Sequence, residues 1–484
     1  MQDTLKSLRY AVRGKTLAKY LGLLTVMMAS LALAPLAVSI WFGEYHLSQR
    51  YVVVIVLLLA VGVPSLRIQP PSDIQHNESL VITALAFLAT PLIMSYPMMA
   101  SGLSFIDAWF EAVSAVTTTG LTTVANLEQM PYTFLFARAW MQWYGGLGIV
   151  ILSVAIVMNH HITLRRLVNP EGETMMTTTR IYARRMLAVY IVLTLLGLGI
   201  LILLLDNSFY ALTYTLAAVS TGGFSPLGSS LAELSWPVQV VVMVLSLLGA
   251  IPFILYYRLT RGSWRELLAD IEVRTLLGII LLLALLLTVT LGTSIDEMGW
   301  QQALYHSSLL SISAQTATGF TSLDINSLNS ISLGLLMVAM VVGGGVGSTA
   351  GGFKILRLLI LFRLIQFLIQ RASMPPHAVV EPKLAGRVLD DREIARALLL
   401  IILFMITITV SWLAFLAYGY APFPALFEVV SATATAGLSS GITSQDLEAP
   451  LKLVLCIDML LGRVEIIALL VVLYPGTWLG KRTE

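Results

Sequence analysis

Charge is scarce in this chain: Asp, Glu, Lys and Arg together supply only 12% of its 484 residues. Soluble domains carry about 25%, so a soluble globular protein is excluded. The two signs nearly cancel, with a formal net charge of +2, so there is no basic footprint for nucleic acid. Cysteine is reduced to Cys456, which rules out an intramolecular disulfide and a cysteine metal cluster. There is no His-Glu-x-x-His helix and no Ser–His or paired-Asp constellation within the apolar runs, so an enzyme is not expected. No cofactor is expected in this chain either. Long polar stretches are also missing, which leaves no room for a separate soluble domain.

Apolar length fills the space left by charge. The chain is 57% hydrophobic with a mean hydropathy of +0.85, the composition of an integral membrane protein embedded in lipid. A membrane-crossing helix needs about 20 apolar residues. Ten segments meet or approach that: roughly 20–42, 50–64, 79–98, 139–158, 186–205, 236–256, 275–293, 331–370, 397–417 and 451–474. The basic opening MQDTLKSLRYAVRGKTLAKY lacks a signal-peptide cleavage pattern and reads as a cytosolic arm. Arginine then sets orientation. Arg165, Arg166, Arg180, Arg184 and Arg185, then Arg258, Arg261, Arg265 and Arg274, then Arg363 to Arg396 all fall on one side. The other side has only charges near helix ends, such as Arg50, Arg138 and Lys452. Both termini are therefore expected in the cytoplasm.

Four connections on the poorly charged side share a pattern. They read AVTTTGLT (Ala115 to Thr122), AVSTGGFS (Ala218 to Ser225), AQTATGFT (Ala314 to Thr321) and ATATAGLS (Ala432 to Ser439). Gly120, Gly223, Gly319 and Gly437 align, each followed by Leu or Phe and then Ser or Thr. WFEAVSAVTTTGLT and LFEVVSATATAGLS share eight of fourteen positions, Glu111 and Glu428 among them. Each octet follows a segment too short to span, starting near Asp107, Asp206, Glu297 and Pro422, and the third looks longest. The repeated unit is helix, half-membrane helix, Thr/Ser/Gly loop, helix. Irregular backbone at membrane depth is tolerated only where it lines a water-filled path or is buried in protein. A half-helix ending there aims its negative dipole end at a cation, and carbonyl rings replace a cation's hydration shell. Four copies in one chain close a ring around one pore.

This pattern resembles the Trk/Ktr/HKT superfamily of potassium transporters, and the two additional N-terminal helices make it similar to the TrkH branch. ARAWMQWYGGLGI (Ala137 to Ile149), GGGVGSTAGGFK (Gly343 to Lys354) and LLGRVEI (Leu460 to Ile466) carry the resemblance outside the four octets. It implies an all-α polytopic membrane protein with four pseudo-symmetric repeats around one pore. The division would be 1–78 for the arm and two extra helices, then 79–165, 166–262, 263–380 and 381–484 for the repeats. Carried over, the potassium-binding layer would be Thr118, Thr119 and Gly120; Thr221, Gly222 and Gly223; Ala317, Thr318 and Gly319; and Thr435, Ala436 and Gly437. In the second loop the paired glycines leave the register open by one residue. Glycine at all four positions implies potassium over sodium. The resemblance also implies a TrkA-like cytosolic ring of nucleotide-binding regulators, a homodimer, and a bacterial inner membrane. Proton- or sodium-coupled symport is the alternative to conduction down the electrochemical gradient.

Six glycines between Gly343 and Gly352 interrupt the eighth apolar run. Glycine costs roughly 1 kcal/mol per residue in a helix interior, so this stretch is expected to break the helix. It lacks the Gly-Lys-Ser/Thr of a phosphate loop. The expectation is an intramembrane gate comprising Gly343, Gly344, Gly345, Gly347, Ser348, Thr349, Gly351, Gly352 and Lys354, and the break is expected in the third repeat alone. Arg463, midway along the last span with Asp458 before it and Glu465 after it, is a functional candidate because intramembrane charge is expensive. The resemblance places Arg463 in the pore, reinforcing closure. Glu111 and Glu428 either add negative field or brace the loops, and His306, with no metal partner at ligand spacing, is expected to be a packing or hydrogen-bonding histidine.

Overall fold

The computed structural model describes residues 11–69, 74–160, 175–259, 264–294, 299–373, 375, 381–464 and 466–479. Arg165, Arg166, Arg261, Glu297 and Glu465 lie outside the described residues, as does the first half of the N-terminal arm. Among the described residues the regular structure is helical apart from a small hairpin of β1 (Lys383–Leu384) and β2 (Arg387–Val388).

Two helices, α1 (Gly14–Trp41) and α2 (Tyr45–Ser65), precede the repeated part and pack on each other. The first unit is α3 (His76–Met98), α4 (Phe105–Val116) and α5 (Tyr132–His160). The second is α6 (Met175–Leu204), α7 (Ser208–Val219), α8 (Trp236–Ala250) and α9 (Phe253–Leu259). A short helix, α10 (Trp264–Ala269), leads into the third: α11 (Ile271–Ser294), α12 (Trp300–Gln315), α13 (Ser330–Val342) and α14 (Ile355–Ala372). The fourth is α15 (Asp391–Ala417), α16 (Pro422–Thr433), α17 (Ala449–Arg463) and α18 (Ile466–Leu473). Among the described residues six helices are long and apolar enough to cross a membrane, and they lie in α1, α2, α3, α6, α11 and α15.

The second element of each unit cannot span, and local chemistry explains where it starts. Ser104 caps α4 by accepting the Asp107 amide at 3.2 Å, Asn207 caps α7, and Pro422 occupies the first turn of α16. These short helices have 12 residues in three units and 16 in the third. Each packs between the incoming and outgoing helices of its own unit. The outgoing helices close a circuit: α5 packs on α7, α8 on α12, α13 on α16, and α17 on α4.

The outgoing helices depart from expectation. The apolar spacing predicts unbroken spans over 236–256 and 451–474, with an interruption in the third unit alone. Instead α8 stops at Ala250 and restarts after Pro252, which cannot donate to the helix ladder. The last helix stops at Arg463 and resumes at Ile466. Three of the four outgoing helices are thus interrupted, and the third has the longest break.

Candidate functional site

All four short helices end in the same way. The residue after each helix cap takes a left-handed backbone: Thr118 (φ 54°), Thr221 (φ 50°), Ala317 (φ 51°) and Thr435 (φ 50°). Its amide donates to the carbonyl three residues back, and the next amide donates five residues back. In the first unit these are Thr118 N to Ala115 O at 3.0 Å and Thr119 N to Ser114 O at 2.9 Å. The other three units repeat both bonds. This is a Schellman termination, which ordinarily places glycine at the left-handed position. A side chain there costs roughly 1–2 kcal/mol, and the chain carries that strain four times. Two residues later the backbone is left-handed again, at Gly120 (φ 94°), Gly223 (φ 75°), Gly319 (φ 86°) and Gly437 (φ 83°). Gly222 has no positive φ, so Gly223 is the structural equivalent of Gly120.

The loops meet head to tail. A Cβ on Gly120 would stand 2.3 Å from Gly222 O, and one on Gly223 would stand 1.7 Å from Thr318 O. One on Gly319 would stand 2.4 Å from Ala436 O, and one on Gly437 would stand 2.1 Å from Thr119 O. First faces second, second third, third fourth, and fourth first: the twelve residues form one closed ring. No side chain larger than hydrogen fits at any of the four seams. Thr118 and Thr435 bury hydroxyls with no hydrogen-bond partner among the described residues.

Behind the ring, one side chain per unit ties the loop back to its helix. Glu111 accepts from Thr122 Oγ1 at 2.7 Å and Thr123 N at 2.8 Å, and faces Arg138 Nε at 3.1 Å, with both side chains buried. Glu428 accepts from Ser439 Oγ and Ser440 N, each at 2.8 Å. Tyr214, at the same offset in the second unit, donates to Ser230 O at 2.7 Å. His306 Nδ1 lies 3.0 Å from Ser322 Oγ in the third. The two glutamates hold backbone and hydroxyl groups of their own loops.

The glycine run of the third unit lies against the inner ends of these short helices. Thr349 Oγ1 donates to Gly249 O at 2.9 Å and lies 3.2 Å from Val219 O, the last residue of α7. Gly352 N donates to Ala434 O at 2.9 Å, and Gln315 Nε2 to Gly343 O at 2.6 Å. A Cβ on Gly351 would stand 2.3 Å from Thr435 Oγ1, so the run reaches the ring itself. Gly345 N donates to Ala250 O, Phe253 N to Gly347 O, and Val346 N to Glu272 Oε2. Gly344 accepts from Ile355 N, Ser348 Oγ turns back to Gly345 O, and Lys354 Nζ donates to Ala350 O. Arg463 Nη1 donates to Thr349 O at 2.7 Å; its Nε and Nη2 are buried without hydrogen-bond partners among the described residues. A cavity beside the run is lined by Gly352, Lys354, Phe404 and Arg463. Asp458 lies off this path, accepting from Ser411 Oγ at 2.7 Å.

Ring residues and glycine-run residues, separate in sequence, thus meet around one axis. Two charges that the span pattern predicts near helix ends, in the first two turns of α5 and α17, are buried there. Arg138 pairs with Glu111 and stacks 3.8 Å over the Phe224 ring. Lys452 Nζ bonds Asp107 Oδ1 at 2.6 Å, joining the fourth unit to the first. Sequence pattern also passes over Gln142, which bonds the second loop; its one signal is the unusual middle glycine, Gly222, of that loop.

A circuit of four such units within a bundle of apolar helices defines an all-α, multi-pass membrane transport protein. A model of the TrkH family, described as cation transport protein, matches residues 48–475. The chain belongs to the TrkH family, whose members are transporters rather than enzymes. It is 29% identical over 456 residues to an uncharacterised cation transporter of Methanocaldococcus jannaschii, covering 93% of each chain. It is 26% identical over 498 residues to the Trk system potassium uptake protein TrkH of Escherichia coli K12, covering 96% of this chain and 99% of that one. The crystal structure of the potassium transporter TrkH from Vibrio parahaemolyticus aligns with a TM-score of 0.86 at 25% identity, over 97% of this chain and 100% of that one.

Proposed function

We propose that this protein takes up potassium through the four-loop ring, down the electrochemical gradient. The ring closure carries this reading. Carbonyls of Thr118–Gly120, Thr221–Gly223, Ala317–Gly319 and Thr435–Gly437 would replace the ion's hydration shell. The negative ends of four short helices converge behind them, favouring a cation. The buried, unpartnered hydroxyls of Thr118 and Thr435 are further oxygen ligands at the inner edge. The relatives named as potassium uptake proteins support the choice of ion.

On the same reading the glycine run is the gate. It lies across the inner side of the ring, latched by Arg463, and would withdraw toward the adjoining cavity when α14 moves. Its backbone bonds are each worth about 0.5–1.5 kcal/mol net, and the Arg463 bond about 1.5–3 kcal/mol, a range that a bound partner's energy can match. The Trk system names of relatives support association with further components; that these are a TrkA-like regulator ring, and that the protein is a homodimer, follows from the resemblance of its motifs. Arginine bias supports cytoplasmic termini, and the resemblance to the TrkH branch supports a bacterial inner membrane.

The test is potassium against sodium flux in proteoliposomes for wild type and Gly120→Ser. The substitution forces the first seam apart and is expected to lower the potassium-to-sodium ratio at least tenfold, the equivalent of about 1.4 kcal/mol. An unchanged ratio with folded protein contradicts the assignment of the ring.

A further inference from the structure

Three of the four ring loops carry a side chain at their middle position: Thr119, Thr318 and Ala436. The second has Gly222, and the space a side chain would fill there is already taken. A Cβ on Gly222 would stand 2.4 Å from Cδ, 2.6 Å from Oε1 and 2.8 Å from Nε2 of Gln142. Gln142 comes from α5, the outgoing helix of the preceding unit, and is fully buried. Both ends of its amide are used: Nε2 donates to Gly222 O at 2.5 Å, and Oε1 accepts from Phe224 N at 3.1 Å. It therefore grips the loop on both sides of Gly223, the seam glycine.

The corresponding hold in the first and third loops is internal. Thr119 Oγ1 lies 2.8 Å from Thr117 Oγ1, and Thr318 Oγ1 lies 2.7 Å from Thr316 Oγ1, so each middle hydroxyl bonds the base of its own loop. The second loop has no such hydroxyl. Gly222 O is also the atom against which Gly120 packs, so the Gln142 amide fixes the carbonyl at the seam between first and second loops.

We propose that Gln142 is a positioning residue of the ring, supplying from a neighbouring helix the hold that a middle hydroxyl gives in the first and third loops, and that it sets ion selectivity through Gly222. This rests on the reading of the ring as the ion filter. A glycine in the middle of the second loop is then a requirement of Gln142 and not a lapse in the repeat. A buried amide with both ends bonded is expensive to leave half satisfied, which makes its removal measurable.

The full-length protein in proteoliposomes provides the test, read as potassium-to-sodium flux ratio. Gly319→Ser, in a loop that Gln142 does not touch, serves as the control. Gln142→Ala is expected to lower the ratio about tenfold, the scale of one lost buried hydrogen bond, with potassium flux retained. Gln142→Met fills similar space without the amide and is expected to lose as much. A wild-type ratio in Gln142→Met assigns the role to packing and overturns the proposal. Gly222→Ala alone is expected to block flux, and adding Gln142→Ala is expected to restore it. A double variant no better than Gly222→Ala also overturns the proposal. A ratio changed in Gly319→Ser but not in Gln142→Ala removes the role of Gln142 and leaves the filter standing. Unchanged ratios in both remove the filter reading and this inference with it.

Discussion

Thr118, Thr221, Ala317 and Thr435 stand where a helix terminus ordinarily takes glycine, and Ala317 isolates what that choice does to the backbone. It has no hydroxyl to contribute, so its methyl group retains strain and offers no ion ligand. Ala317→Gly is expected to be neutral to stabilising by about 1 kcal/mol, the relief of left-handed strain less the greater freedom of the unfolded chain. Thermal unfolding in detergent checks this, and a clear loss of stability contradicts it. Single residues also show what sequence pattern conveys. Gly120, Gly319 and Gly437 are legible because the octets repeat. Gly223 against Gly222 is not, because both are glycine and only the backbone angle separates them. Arg463 stands out as a charge in an apolar run, yet its partner, the carbonyl of Thr349, is invisible in a pattern of side chains.

At the scale of elements, hydropathy finds helices and misses their interruptions. Pro252 was the one local signal in the second outgoing helix, and apolar residues on either side conceal it. The fourth outgoing helix stops at Arg463 with neither proline nor glycine immediately after it, so no residue type announces its end; just before it Gly462 lies against Thr433 O, where a Cβ would stand at 1.9 Å. The Gly343–Gly352 run is different, because glycine density alone announces a non-helical stretch. If that run is the gate, removing Gly345–Ser348 takes away its bonds to Ala250, Phe253 and Glu272 while sparing the ring. Regulator-free potassium flux is expected to rise about tenfold or more in the deletion. It is expected to rise less in Arg463→Gln, which loses one charged hydrogen bond of about 1.5–3 kcal/mol. Flux assays without any regulator check both, and unchanged flux in the deletion would remove the gate.

For the whole molecule, a four-unit ring in one chain must join its last unit to its first across most of the sequence. Lys452 and Asp107 do this with a buried pair. Nothing local marks those two residues as partners, since the contact exists only once the circuit closes. Lys452→Met leaves the Asp107 carboxylate buried beside Ser104 and is expected to destabilise the fold by about 3–5 kcal/mol. Adding Asp107→Asn is expected to recover most of that, as read by unfolding in detergent; additive losses contradict the pairing. The closed circuit also bears on the proposed mechanism: if the glycine run withdraws from a fixed ring, conduction would be passive, whereas coupled transport moves one half of a protein against another. The reversal potential of the reconstituted protein, measured under a potassium gradient with sodium or proton gradients imposed in turn, tests this most directly. Passive conduction predicts a reversal that follows potassium alone and ignores an imposed proton gradient. A reversal displaced by a fixed ratio of protons or sodium ions per potassium would contradict it.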